Sequence, residues 1–207
     1  MTALESGQFD AIVLAGGRST RFGAPKERFV YQGTPLAERA ARAAASAGAG
    51  RVVLVGPTLV DAGVLITAHG PVEVVSVRER PEFGGPVAAV GAALPALRSD
   101  APWVLLLACD LARPDAVVAA LQSALAGVPA EASGVCLDDG RPQWLAAAYR
   151  VASLTAAVAE FARTSPLTNA AMRDVVGGLA LVRLPVDARI VQDFDTPADV
   201  ADFDSHI

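Results

Sequence analysis

Behind a pair of glycines the chain crowds its cations: Leu14 to Arg28 reads LAGGRSTRFGAPKER, and Arg18, Arg21, Lys26 and Arg28 are opposed there only by Glu27. Gly16 and Gly17 lack Cβ, so the backbone can take positive φ and bring its N–H groups close to a phosphate or a base edge. Such a loop asks for an anionic partner. The formal net charge of the chain is −5, so this local positive excess is not the mark of a generally basic protein. Spacing excludes two common phosphate loops. A Walker-type loop needs G-x-x-x-x-G-K-[ST], but Gly23 is followed by Ala24-Pro25-Lys26. A dinucleotide fingerprint needs G-x-G-x-x-G opening a helix, which is absent as well.

Carboxylates supply the opposite charge. Trp103 to Asp110 reads WVLLLACD, an apolar strand ending in an aspartate. At the carboxyl edge of an open α/β sheet, where ligands bind, Asp110 should lie beside the glycine loop; a strand-end aspartate can also simply cap its turn. Further on, Asp193-Phe194-Asp195-Thr196-Pro197-Ala198-Asp199 is a helix start, with Thr196 as N-cap, Pro197 at the first helical position and Asp199 completing a capping box. That accounts for three of these residues but not for Asp193 and Asp195, which could present oxygens to a metal. Oxygen ligands of this kind suit Mg²⁺ held jointly with substrate phosphates. A third element, Gly84-Gly85-Pro86 before an apolar helix, brings backbone close to a ligand and exposes a helix N-terminus. His69 and His206 have no partners nearby in sequence, and there is no Ser-His-Asp or Cys-His arrangement.

Positioning these groups requires an alternating scaffold. Strands are expected at 10–15, 51–56, 72–77 and 103–108, with helices near 35–48, 59–68 and 87–98 between them. Pro35 opens the first helix and Gly48 follows its end, while Pro95 cuts the third short. Gly63, Val64 and Ile66 weaken the second. Beyond 128 the rhythm changes: strands at 131–137 and 143–149 flank a turn at Asp138-Asp139-Gly140, helices follow at 151–162 and 167–176, strands at 179–184 and 189–192, and a closing helix at 197–204. This predicts an α/β fold with a three-layer, mostly parallel, Rossmann-like sheet and an antiparallel addition. Length and composition suggest one domain over 1–207.

Much of the 53% hydrophobic content is alanine, which signals helices and tight packing rather than membrane, and no uninterrupted apolar run reaches spanning length. Glu5 and Asp10 with no basic leader argue against a signal peptide, and Cys109 and Cys136 read as buried reduced thiols, so the expected location is cytoplasmic. Trp144 and Tyr149 read as core aromatics.

The pattern L-A-G-G-x-S/T-x-R-x-G-x-x-K resembles the signature loop of nucleotidyltransferases of the molybdenum cofactor guanylyltransferase type, and four further segments resemble that family in the same order. The resemblance implies a nucleotide-diphospho-sugar transferase-like fold and transfer of GMP from GTP to a molybdopterin-type phosphate acceptor. Leu14, Ala15, Gly16, Gly17 and Arg18 would then bind the nucleotide, and Arg21 and Lys26 would neutralise its triphosphate. Cys109-Asp110 resembles the family's metal-binding C-D-x-P, with Ala112 in place of the proline. It implies Mg²⁺ on Asp110 and, by the D/N-T-P element, on Asp195, with Asp193 as the fallback. Gly85 and Pro86 match the family's G-P-L-A-G as GPVAA, with Glu79 the nearest acidic residue to serve the guanine. Gly140 to Arg150 resembles the strand on the acceptor side, implying that Arg141 and Gln143 touch the acceptor. No nucleic acid or membrane is implied, and cofactor-pathway proteins would be met transiently. The glycine pair after Leu-Ala, and Cys-Asp rather than Gly-Asp, are closer to the guanylyl than the cytidylyl branch. Alternatives are CTP-dependent transfer to molybdopterin or another phosphate, and a nucleotide-binding module without catalysis.

Overall fold

A computed structural model of the chain describes residues 7–16, 29–56 and 63–204. Its centre is β1 (Phe9–Leu14), buried along its whole length. Flanking it in parallel are β4 (Arg51–Val55) and β7 (Trp103–Ala108), and β6 (Gly70–Val77) runs parallel to β4. Among the described residues the main sheet runs β10-β8-β9-β7-β1-β4-β6-β5. Here β5 is Gly63–Thr67, β8 Gly134–Asp138, β9 Pro142–Arg150 and β10 Leu181–Pro185. Strands β5 and β9 are antiparallel to their neighbours, whereas β10 is parallel to β8. A short pair, β2 (Val30–Tyr31) and β3 (Thr34–Pro35), stands apart.

Alternation along each central strand builds the two faces. Phe9, Ala11 and Val13 of β1, with Leu105 and Leu107 of β7, face one core, which is closed by α1 (Leu36–Ser46) and α3 (Pro114–Leu125). Ile12 and Leu14, with Val104 and Leu106, face the other, closed by α2 (Pro86–Ala93), α4 (Val151–Thr164) and α5 (Met172–Val176). A period of two in a strand covered on both sides gives this apolar run its two destinations. The expected three layers and antiparallel addition are what the chain forms.

Four local expectations need correction. The described part of 59–68 is not helix but β5, antiparallel to β6, because the β-branched Val64 and Ile66 suit an edge strand. Residues 189–192 form a turn rather than a strand, leaving an isolated antiparallel bridge between Leu111 and Asp193. The helix expected over 167–176 is confined to α5. Pro35 ends β3 and caps α1 instead of opening it. Helix α3 was not anticipated, although Pro114 at its first turn and Val117, Val118, Leu121 and Leu125 at helical spacing carry the signal.

Elsewhere the local chemistry does what its residues suggest. After α2 a 3₁₀ turn at Leu94–Ala96 holds Pro95. Between β8 and β9, Gly140 takes φ 107° and donates its N–H to Asp138 Oδ1 at 2.9 Å. Helix α6 (Pro197–Asp204) begins with the expected capping box, Asp199 Oδ2 accepting from the N–H groups of Asp195 (2.8 Å) and Thr196 (2.7 Å). No helix among the described residues is long and apolar enough to cross a membrane.

Candidate active site

The carboxyl ends of the parallel strands converge because their hydrogen bonding continues past the last strand residue. Ala15 N–H donates to Val55 O (2.7 Å), Gly56 N–H to Val77 O (3.0 Å) and Cys109 N–H to Leu14 O (3.1 Å). Leu14, Ala15 and Gly16 therefore emerge between the ends of β4 and β7. Gly17, Arg18, Arg21 and Lys26 lie outside the described residues.

Gly16 stands against the end of β4 and the loop after β6. A Cβ on Gly16 would lie 3.5 Å from Glu79 Oε1 and 3.7 Å from Gly56 Cα. At Gly56, with φ 146°, a Cβ would come within 2.6 Å of Ala15 O. Only glycine permits that approach. Around this contact Gly16, Gly56, Arg78, Glu79, Glu82 and Phe83 line a small hollow. Glu79 is 7% exposed, and its Oε1 accepts from Phe83 N–H at 3.1 Å. Phe83 adopts φ 59°, unusual for a side chain of its size, and stays partly open to solvent. Gly85, at φ 87°, caps α2, and Asn169 N–H donates to Gly84 O (2.7 Å), fixing the loop that presents Pro86.

Asp110 and the distant acidic segment are brought together by backbone. Phe194 N–H donates to Asp110 O (2.9 Å) and Ala112 N–H to Gln192 O (2.8 Å), on either side of the Leu111–Asp193 bridge. What holds this crossing is a cluster beneath it. Phe194 is fully buried, 5.2 Å by ring centroids from both Tyr31 and Phe203. Arg39 lies over the Tyr31 ring at 4.7 Å and donates through Nη2 to Ala112 O at 3.1 Å. Partial burial lowers the pKa of this guanidinium.

Two adjoining hollows meet at Asp193. The larger, about 370 Å³, has Asp110 and Asp193 on its rim and Pro86, Trp144, Leu145 and Met172 among its walls. The second, about 290 Å³, contains Asp139, Arg141, Arg189 and Asp195, and shares Gln143 and Asp193 with the first. Thus Asp110 shares a cavity with Asp193, and Asp195 lies in the next one. Among the described residues no group of three or more His, Cys, Asp or Glu is gathered closely enough to hold a metal alone. Oxygen donors spread along a cleft suit a hard cation that takes its remaining ligands from a bound phosphate.

Sequence reasoning missed Gly56, although a glycine directly after a buried strand was its signal. Trp144, expected in the core, packs half-buried against the edge of the second core and also lines the cleft. Tyr149 is fully buried, as expected.

A family model described as a MobA-like NTP transferase domain matches residues 11–176. A probable molybdenum cofactor guanylyltransferase from Synechococcus elongatus is 36% identical over 115 residues, 56% of each chain, so the chain spans about half the length of the curated relatives it matches. Among solved structures, molybdopterin-guanine dinucleotide biosynthesis protein A from Archaeoglobus fulgidus superposes with TM-score 0.64 at 16% identity, over 96% of this chain and 100% of that one. The inositol-1-phosphate CTP transferase from T. maritima gives TM-score 0.67 at 16% identity, over 94% and 91%. At these identities the likeness is one of fold, the nucleotide-diphospho-sugar transferase-like architecture.

Proposed function

Because the chain belongs to the MobA-like NTP transferase family, we propose that it transfers GMP from GTP to a molybdopterin-type phosphate, releasing pyrophosphate. The observation that carries this reading is the convergence of a glycine-lined hollow holding Glu79 with a cleft bearing Asp110 and Asp193 at one edge of the sheet. A base and an acceptor can enter from opposite sides of such an edge. The A. fulgidus protein of similar fold is named for molybdopterin-guanine dinucleotide biosynthesis, which supports the choice of acceptor.

In this reaction an acceptor phosphate oxygen attacks the α-phosphorus while pyrophosphate leaves. The second pKa of a phosphate monoester is about 6, so the attacking oxygen is already ionised at neutral pH and no general base is needed. The chain's work is then positioning and charge stabilisation. Backbone groups of Leu14, Ala15 and Gly16 would read the base edge, and the Glu79 carboxylate would accept from the ring N–H and amino group of guanine. Cytosine offers an acceptor ring nitrogen there and would be repelled. Arg21 and Lys26 would neutralise the triphosphate, with Gly17 and Arg18 along it. Asp110, with Asp195 or Asp193, would hold Mg²⁺, which when bound neutralises the phosphates and favours in-line attack. Arg141 and Gln143 would steady the acceptor. The free cysteines, both buried, suit a reducing cytoplasm.

Thermal stabilisation by GTP with Mg²⁺, compared with CTP and Mg²⁺, tests the base. A larger shift with GTP is expected, and the reverse ranking establishes the CTP-dependent alternative that the T. maritima fold relative represents. Pyrophosphate release in the presence of acceptor tests catalysis. Equal slow release by wild type and Asp110→Ala would mark a nucleotide-binding module without activity.

A further inference from the structure

Strand β9 breaks its own ladder beside the cleft. The partner of Cys136 on β8 is Ala147, whereas the partner of Leu137 is Gln143, so residues 144–146 have no counterpart there. On the other side, pairing with β7 stops at Leu107↔Ala146. Trp144 and Leu145 thus leave both ladders of a strand that has neighbours on either side. A backbone released in this way needs other partners. The Trp144 carbonyl finds one in the Tyr149 hydroxyl, which donates to it at 3.0 Å from a fully buried ring. Burial raises the pKa of that phenol, keeping the donor protonated.

The excursion has a use. It sets Trp144 and Leu145, both half-buried and packed against the second core, into the wall of the cleft that Asp110, Asp193 and Met172 also line. Those aspartates are the only charged side chains among the described residues lining this cleft. Beside the groups that would hold the acceptor's phosphate, Trp144, Leu145 and Met172 give the cleft an apolar wall. An indole face and a thioether bind a flat conjugated ring well and a ring of hydroxyls poorly.

We propose that Trp144, pinned by the Tyr149 hydroxyl, is a stacking platform that selects phosphate acceptors carrying a flat heteroaromatic ring over polyol phosphates. This rests on the nucleotidyl transfer reading and names what in this chain chooses the second substrate. Tyr149 acts as a positioning residue, through the Trp144 backbone.

Binding of 6-hydroxymethylpterin phosphate, followed by quenching of the pterin's own fluorescence, tests the platform, with myo-inositol 1-phosphate as competitor. Trp144→Leu should weaken pterin phosphate binding about tenfold or more, the size of a lost aromatic stack, and Trp144→Phe by only about threefold. Tyr149→Phe, which keeps the ring and loses the pin, should fall between wild type and Trp144→Leu. Inositol phosphate should compete poorly in wild type and relatively better in Trp144→Leu, where the preference for the ring narrows. Equal binding by wild type and both Trp144 variants, or equal competition by inositol phosphate in wild type, would overturn the proposal. Stabilisation of Trp144→Leu by GTP with Mg²⁺ reports a folded variant. If neither GTP nor CTP stabilises wild type, the transferase reading fails, while the pterin titration still decides the role of Trp144.

Discussion

Asp10 and Asp110 sit at opposite ends of the same pair of adjacent strands and live under different physics. Asp10, near the amino end of β1, is completely buried. Arg98 donates to it through its backbone N–H and its Nε, both at 2.7 Å. Asp110 follows the carboxyl end of β7 and opens onto the cleft. At the amino edge a carboxylate is enclosed by its cation, so its charge serves stability. At the carboxyl edge the chain turns away into loops, which leaves room for a ligand's charge to arrive. The same residue type is a structural part at one edge and a chemical one at the other, and the strand direction decides which.

Substitutions should divide along this line. The largest effect expected is on catalysis: Asp110→Ala should reduce pyrophosphate release by about 10³-fold and change the unfolding free energy in urea by less than about 1 kcal/mol. Asp10→Ala should do the reverse, costing about 3–5 kcal/mol in urea unfolding because Arg98 is left without its buried partner. Comparable unfolding free energies for the two variants would erase the distinction. Gly56→Ala sharpens it, since this glycine belongs to the carboxyl edge yet touches backbone. Its Cβ would meet Ala15 O at 2.6 Å. Strain and displaced backbone should cost about 2–4 kcal/mol, and the shifted Gly16 should weaken nucleotide-induced stabilisation as well. A milder change, Glu79→Gln, should lower GTP affinity about tenfold and raise CTP affinity, since the carboxylate that repels cytosine is gone, measured by nucleotide titration of the melting temperature.

The smallest effect concerns pH and lies between the edges. Cys136 is fully buried in the middle of β8, and burial pushes its thiol up to about 12. The folded chain therefore keeps a proton that the unfolded chain releases near pH 8.5–9, as an ordinary thiol does at about that pH. The resulting stability is complete below that pH and is lost as pH rises toward about 12. Urea midpoints measured from pH 7 to 10 should fall less for Cys136→Ala than for wild type, each compared with its own value at pH 7. Parallel curves would assign the alkaline loss to other groups.

The fold was readable where one element satisfied its own periodicity. The runs 11–14, 52–55 and 103–108, which make up most of β1, β4 and β7, are apolar at every position and short, so burial on both faces followed directly. At β5 the described residues are Gly63–Thr67, and a window reaching back to 59 mixed them with residues of other character. Edge strands expose one face, as Ile66 does at 76%, and give no continuous apolar signal. The capping box at Thr196–Asp199 was legible because every partner lies within four residues.

The site divides in the same way. The amino-acid sequence by itself determined the residue types: glycines where backbone must approach, cations after them, and an aspartate at the end of an apolar strand. These are properties of short segments, set by conformational freedom and local charge. Tertiary structure alone decided that Asp193 shares a cavity with Asp110 and that Asp195 lies in the next. The Leu111–Asp193 bridge and the packing of Phe194 against Tyr31 and Phe203 join segments far apart in the chain. It also decided that Trp144 faces a cleft, because a break in strand pairing depends on both neighbours of β9 and no single strand encodes it.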